Sequence, residues 1–222
     1  MTEDIVLAGA VRTPIGKFGR SLKDIPAQRL GALVVAEALK RAGVGPAEVE
    51  QVIMGNAVGA GLGQNPARQA AVMSGIPCEV ASFTLNEVCG SAMKAVMVAA
   101  QMIRAGDYRV IVAGGMESMS GAPHLMRGLR WGVKLGSVCS DDAMLSDGIR
   151  ETFNGYHMGM TGERVAEKYG VTRAEADAFA FSSHMKAFAA TKEGAFRDEI
   201  LPVAALAEDE CIRGDTTPEK LA

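Results

Sequence analysis

The fold is decided by Asn86-Glu87-Val88-Cys89-Gly90-Ser91-Ala92, by the run that continues to residue 105, and by Arg109-Val110-Ile111-Val112-Ala113-Gly114-Gly115. Between residues 92 and 105 only Lys94, Gln101 and Arg104 are strongly polar, and on a helix they share an arc of about 80°. A helix of that composition is expected to be almost wholly buried. Arg104 stands in its last turn and Gly106 follows as a stop signal. Residues 109–115 then read as a core strand.

The same alternation runs upstream. Residues 82–88 read as an extended piece, 66–73 as a short helix with Pro66 in its first turn, and 52–58 as a strand. In residues 27–42, Arg29, Glu37, Lys40 and Arg41 fall within about 120° of arc, leaving a broad apolar face for a sheet, and Gly43 ends the helix. Residues 5–11 are apolar and precede the breaker-rich Arg12-Thr13-Pro14-Ile15-Gly16, which predicts a short buried strand followed by a loop to about Pro26. Strands alternating with helices, the strands apolar throughout, predict an α/β layered structure around a largely parallel sheet.

Downstream the texture changes. Residues 119–160 are rich in Gly and Met with little periodicity and read as an irregular insertion, the kind of segment on which function often sits. Two helices follow, one over about 162–169 and one opened by Thr172 with Glu175 in a capping-box pattern and stopped near Gly194. Thr217-Pro218-Glu219 reads as another helix start with few residues after it. One helical turn is marginal in water, so either this end frays or the fold continues on another polypeptide.

With 222 residues, 48% hydrophobic and 22% charged, the chain can bury a sizeable core, which excludes disorder as its main state. Its 23 basic and 26 acidic residues give a net charge of −3, so neither nucleic acid nor an anionic membrane surface is an expected partner. Cys78, Cys89, Cys139 and Cys211 form no C-x-x-C pair, and reduced thiols are the expectation. Met1-Thr2-Glu3-Asp4 is acidic where a secretory leader would be basic, and no apolar run reaches membrane-spanning length. The simplest location is the cytoplasm.

Cys89 is the strongest chemical candidate. It lies between an extended segment and a helix, where unpaired N–H groups and the helix dipole favour an anion. Gly90 lets a substrate approach the backbone, and the Cys89 amide can donate to an oxyanion. Spacing alone leaves open the alternative of a small, buried, inert cysteine. A helix end contributes at most about 2 kcal/mol, so nucleophilic catalysis would normally add a nearby base. Of the three histidines, His124 lies in the irregular segment, His157 in Gly155-Tyr156-His157-Met158-Gly159, and His184 within a long helix, where a satisfied structural role is the simplest reading. Nothing in the spacing marks any of them as the partner of Cys89. Gly59-Ala60-Gly61-Leu62-Gly63 has the wrong spacing for a dinucleotide loop and reads as a tight turn, and the scattered Cys and His residues lack metal-ligand spacing.

Five stretches carry a family resemblance: residues 11–16, Gly63-Gln64-Asn65-Pro66-Ala67-Arg68, residues 86–91, Gly114-Gly115-Met116-Glu117-Ser118-Met119, and residues 155–159. On these, the chain resembles the first half and a little more of a thiolase, most similar to the short-chain acetyl-CoA C-acetyltransferase type. The resemblance implies a layered α/β fold with a mixed, largely parallel sheet flanked by helices, an N-terminal domain over residues 1–118, and an inserted loop domain over 119–222 that covers coenzyme A. It puts Cys89 at the nucleophile that becomes acylated. His157 and Met158 match the segment that lines the pantetheine channel, and Ile149 matches an apolar residue nearby. Residues 131–136 resemble the loop through which dimers pair into tetramers, and residues 64–68 lie near the dimer interface. Coenzyme A and its thioesters are then substrates, and no permanently bound cofactor is expected.

The departures from the family pattern bear on function. The Asn-Glu, Gly-His-Pro and Cys-x-Gly motifs of a thiolase's second half, which hold the base and a second cysteine, are not in this sequence, and the region after Pro202 is shorter than the usual loop. Ala92 stands where Gly is common. The main expectation is a two-polypeptide thiolase, a heterotetramer or larger, in which a partner chain supplies those motifs. A non-catalytic acyl-CoA-binding or assembly subunit and a truncated thiolase are the alternatives.

Overall fold

The computed structural model describes residues 4–221, so the acidic start at Met1-Thr2-Glu3 lies outside the described residues. Its centre is a three-stranded sheet of β1 (Gln51–Gly55), β2 (Ala81–Leu85) and β3 (Ile111–Gly115), ordered β2-β1-β3 and parallel throughout. Gly55 of β1 pairs with Leu85 and Gly115, so all three strands end on one level. β1 is buried along its whole length, which explains why Val52, Ile53 and Met54 are apolar without alternation.

Helices α1 (Ala27–Ala42) and α2 (Pro66–Met73) cover one face of the sheet, and α3 (Ser91–Ala105) covers the other. On the first face Val35 and Leu39 of α1 and Ala67, Ala70 and Ala71 of α2 meet Val52 and Met54; on the second Ala95 and Ala99 of α3 meet Ile53. Alternate residues of β1 thus serve opposite layers, as the two-residue period of a strand requires. The ends of the helices follow local chemistry. Gly43 and Gly106 close α1 and α3 in the left-handed conformation, and Asn65 caps α2 by accepting from the Arg68 N–H.

Beyond Glu117 come short turns, the two-stranded ribbon β4 (His124–Leu125) and β5 (Asp141–Asp142), and a π-helical turn at Met144–Ile149. Helices α4 (Met158–Tyr169) and α5 (Arg173–Glu193) follow, the latter opened by the Thr172–Glu175 capping box and closed at Gly194. The last turn, α6 (Pro218–Leu221), is held to α5, where the Arg173 guanidinium donates to the Leu221 carbonyl. Among the described residues no helix is long and apolar enough to cross a membrane.

Two expectations are corrected. Residues 5–11 form no strand, and Val6 and Leu7 are 79% and 84% exposed. A strand needs a neighbour to pair with, and here only Arg12 finds one, exchanging backbone hydrogen bonds with Glu199 and Leu201 beside Ile200. Nor is α3 almost wholly buried: its sheet-facing side is, but Met93 and Met97, one turn apart, are 73% and 51% exposed. The helix is apolar as its sequence implies, yet nothing among the described residues covers Met93 and Met97 on the outer face.

Candidate active site

The site lies at the C-terminal ends of the parallel strands, where ligands of such sheets are usually held. Glycine at the end of β1 and β3 is what brings the α3 N-terminus there. A methyl group on Gly55 would stand 2.6 Å from the Ala92 nitrogen and the Ser91 carbonyl carbon, and one on Gly115 would stand 2.6 Å from Ala92 Cβ. Only bare backbone at both positions lets the first turn of α3 close onto the sheet. The Ala92 methyl group therefore fills the space left at Gly115.

The link between β2 and α3 is wound tightly. Val88 has φ of 51°, a left-handed conformation that β-branched residues avoid. Local bonds hold it: the Val88 N–H donates to Asn86 Oδ1 (2.9 Å), and Ser91 Oγ accepts from the Glu87 N–H (2.9 Å) while donating to the Val88 carbonyl (2.6 Å). Lys94, one turn into α3, reaches back to Glu87 at 3.0 Å. Cys89 follows at the mouth of the helix, exposed and free of any disulfide. Its amide N–H has no partner of hydrogen-bonding geometry among the described residues and remains open to an oxyanion. Cys89 is thus not buried among the described residues.

The neighbouring loops are tied to one another through Glu117, a residue that sequence reasoning passed over. One oxygen of its carboxylate accepts from Asn56 Nδ2 at 2.9 Å, and the other from the N–H groups of Ala57 (2.7 Å) and Val58 (3.2 Å). Asn56 also donates to the Met116 carbonyl, and Asn86 Nδ2 donates to the Ala57 carbonyl at 3.0 Å. The segments after β1, β2 and β3 thus form one bonded platform beneath Cys89. A single acidic residue in a loop ordinarily reads as solvated; the signal at Glu117 is its place in the Gly114–Met119 stretch that carries the family resemblance, which assigns it no role.

The other candidates lie in the irregular region. Ile149 ends the π-helical turn and is half-buried. An antiparallel bridge pairs Arg150 with His157, so Ile149, His157 and Met158 belong to one cluster of turns. His157 is the N-cap of α4: its Nδ1 accepts from the Gly159 N–H at 3.0 Å, which is why the helix begins four residues before the expected start. Met158 is 42% exposed. A Cβ on Gly148 would lie 3.3 Å from Val58, so the π-helical turn borders the platform at Val58. The Arg150–His157 bridge therefore brings the segments holding Ile149, His157 and Met158 together, but among the described residues no hydrogen bond joins any of the three to Cys89.

None of the histidines serves Cys89 as a base among the described residues. His124 lies in β4, His157 caps α4, and His184 faces the backbone N–H and the guanidinium of Arg213 through its two ring nitrogens. Two clefts, of about 240 Å³ between Thr191 and Asp209 and about 370 Å³ between Thr13 and Ser120, do not include Cys89. No group of three or more Cys, His, Asp or Glu among the described residues is arranged to hold a metal ion. The turn at residues 59–63 carries left-handed Gly61 and Gly63, as a tight turn requires.

A layered α/β chain with an open cysteine at the entry of a sheet-packed helix is the class that the fold and site define. Residues 5–222 match the family model of the thiolase N-terminal domain, and the chain belongs to the thiolase family. It is 53% identical over 200 residues to an acetyl-CoA acetyltransferase of Cupriavidus necator, covering 90% of this chain and 51% of that protein. It is 48% identical over 227 residues to a probable acetyl-CoA acyltransferase of Staphylococcus epidermidis, covering 98% and 58% respectively. The crystal structure of the Bacillus anthracis acetyl-CoA acetyltransferase superposes with a TM-score of 0.92 at 38% identity, over 97% of this chain and 56% of that one. The chain thus spans a little more than half the length of these relatives.

Proposed function

We propose that this chain carries the nucleophile of a two-chain thiolase and that Cys89 is acylated in the reaction. The observation that carries the proposal is the exposed sulfur of Cys89 at the mouth of α3, with its own amide unbonded beside it. In the forward direction the Cys89 thiol loses its proton to a base, its sulfur attacks the carbonyl carbon of acetyl-CoA, and coenzyme A leaves as the thiol by taking up a proton. The α-carbon of a second acetyl-CoA, deprotonated by another group, then attacks the acyl carbon; acetoacetyl-CoA leaves and Cys89 is regenerated. Thiolysis runs the same steps backwards. The Cys89 amide supplies one oxyanion donor, and Ile149, His157 and Met158 form a wall for the pantetheine arm.

The base, the second cysteine and the rest of the oxyanion hole are assigned to a partner polypeptide with Gly-His-Pro and Cys-x-Gly motifs, in a hetero-oligomer such as a heterotetramer or larger. Supporting this, Cys89 has no histidine partner among the described residues, and the outer face of α3 is apolar and open. Residues 1–118 and 119–222 are assigned as the N-terminal and coenzyme-covering domains, and the cytoplasm as the location. No permanently bound cofactor is assigned. The half-length match supports a second reading, a truncated thiolase or a non-catalytic assembly subunit. Incubation with acetyl-CoA followed by intact-mass analysis separates them. The main reading expects a single acetyl group on Cys89 when the partner is present, lost in Cys89→Ser together with turnover. Unchanged activity of the assembled Cys89→Ser complex would refute it in favour of the assembly subunit, and rapid turnover by this chain alone would refute the division of labour.

A further inference from the structure

We propose that Glu117 is a positioning residue for Cys89, acting through the backbone of Ala57 and the side chain of Asn86. The proposal rests on Cys89 being the reactive sulfur. The contacts form an unbroken series. The Glu117 carboxylate fixes the N–H groups of Ala57 and Val58; the Ala57 carbonyl then receives Asn86 Nδ2; and Asn86 Oδ1 receives the Val88 N–H next to Cys89. Val88 at φ of 51° is a conformation that relaxes unless its surroundings hold it. The exposed side of the loop offers no packing to do so, since Asn86, Glu87, Val88 and Cys89 are all exposed. Ser91 holds the strained residue from within α3, and among the described residues Asn86 is the one side chain that ties it to the β1 loop, so the anchoring of Ala57 by Glu117 helps fix where the Cys89 sulfur stands relative to the α3 N-terminus. The Asn56 side chain, buried with Oδ1 unpartnered, donates to the other oxygen of Glu117 and keeps the carboxylate turned toward the two amides.

Site-resolved alkylation by iodoacetamide under native conditions tests this, with Cys78, Cys139 and Cys211 as exposed references in the same molecule. Glu117→Ala and Asn86→Ala should each slow alkylation of Cys89 about fivefold, the size of one helix-terminus charge interaction, and leave the other three cysteines unchanged. Glu117→Gln should stay within about twofold of the parent, because its amide oxygen still accepts from the Ala57 and Val58 N–H groups, the bonds on which the series depends. The Glu117→Ala/Asn86→Ala double variant should be no slower than the slower single variant, since both interrupt one series. A parental rate in Asn86→Ala, whose side chain is exposed, overturns the proposal even if Glu117→Ala does not fold. So do multiplying effects in the double variant, a Glu117→Gln as slow as Glu117→Ala, or four cysteines that change together. Failure of acetyl-CoA to acylate Cys89 in the parental complex would refute the proposed function instead, and would leave the alkylation result standing.

Discussion

Replacing Gly55 by alanine tests how the sheet seats the nucleophile-bearing helix. The new methyl group would stand 2.6 Å from the Ala92 nitrogen and the Ser91 carbonyl carbon and 2.7 Å from Ser91 Cβ, whereas ordinary contacts begin near 3.4 Å. Two of these three atoms are backbone, so the strain cannot be relieved by a rotamer change; the first turn of α3 must lift by most of an ångström. Overpacking of this kind costs about 1–3 kcal/mol, offset by about 0.4–1 kcal/mol from the smaller conformational freedom of alanine in the unfolded chain. A net loss of about 1.3 kcal/mol lowers the melting temperature of a domain of this size by about 3–5 °C. Gly114, adjacent to Gly115 in β3, is the internal control: its methyl group would lie 3.6 Å from the Met54 sulfur, an ordinary contact, and Gly114→Ala should stay within about 0.5 kcal/mol of the parent. Urea titration and thermal melts of both variants are the assay. Equal stabilities, or a Gly55→Ala variant indistinguishable from the parent, would refute the close-approach account of Gly55.

Two further outcomes follow from the structure. Asn65 sits at φ of 43°, caps α2 and donates to the Ser82 carbonyl, so Asn65→Ala should cost about 2 kcal/mol, and Asn65→Gly about 1 kcal/mol less than that, measured by urea titration. Asp209 is pushed up by burial, but bonds from the Arg12 guanidinium and the Ile15 N–H outweigh this and hold its carboxyl below the usual range. A depressed native value stabilises the fold above the unfolded carboxylate's titration, near pH 4, and that stability is lost as pH falls through the native value. The parent should therefore weaken below about pH 4, and Asp209→Asn should be weaker at pH 7 with a flatter decline, as read from urea midpoints between pH 7 and 3.

Much of this architecture was legible because its signals were local. Gly43, Pro66, Gly106 and the Thr172–Glu175 box mark helix ends through chemistry within one turn, and those ends are where the structure puts them. Residues 5–11 were misread because an apolar run states that a segment avoids water, not which strand it pairs with. The same limit applies to α3, whose arc of polar residues identified its least apolar side but not the absence of a cover for Met93 and Met97. The expected strand at 52–58 stops at Gly55 because Asn56 turns aside to Glu117, a long-range bond with no trace in the local pattern. Cys89 was legible from its place between a strand and a helix. The platform beneath it was not, because Asn56, Asn86 and Glu117 meet only after the three strands have aligned.

The clasp around Arg12 carries a consequence for the order in which the chain takes shape. Its guanidinium joins Glu199 and Asp209 across 187 and 197 positions of sequence, and its backbone pairs on either side of Ile200. On a ribosome the sheet and its three helices emerge whole long before those acidic residues leave the exit tunnel. Ordering of residues 12–17 must therefore wait until residues 199–209 have left the tunnel, and a nascent chain halted before residue 199 would expose this segment to proteases while its sheet is already protected.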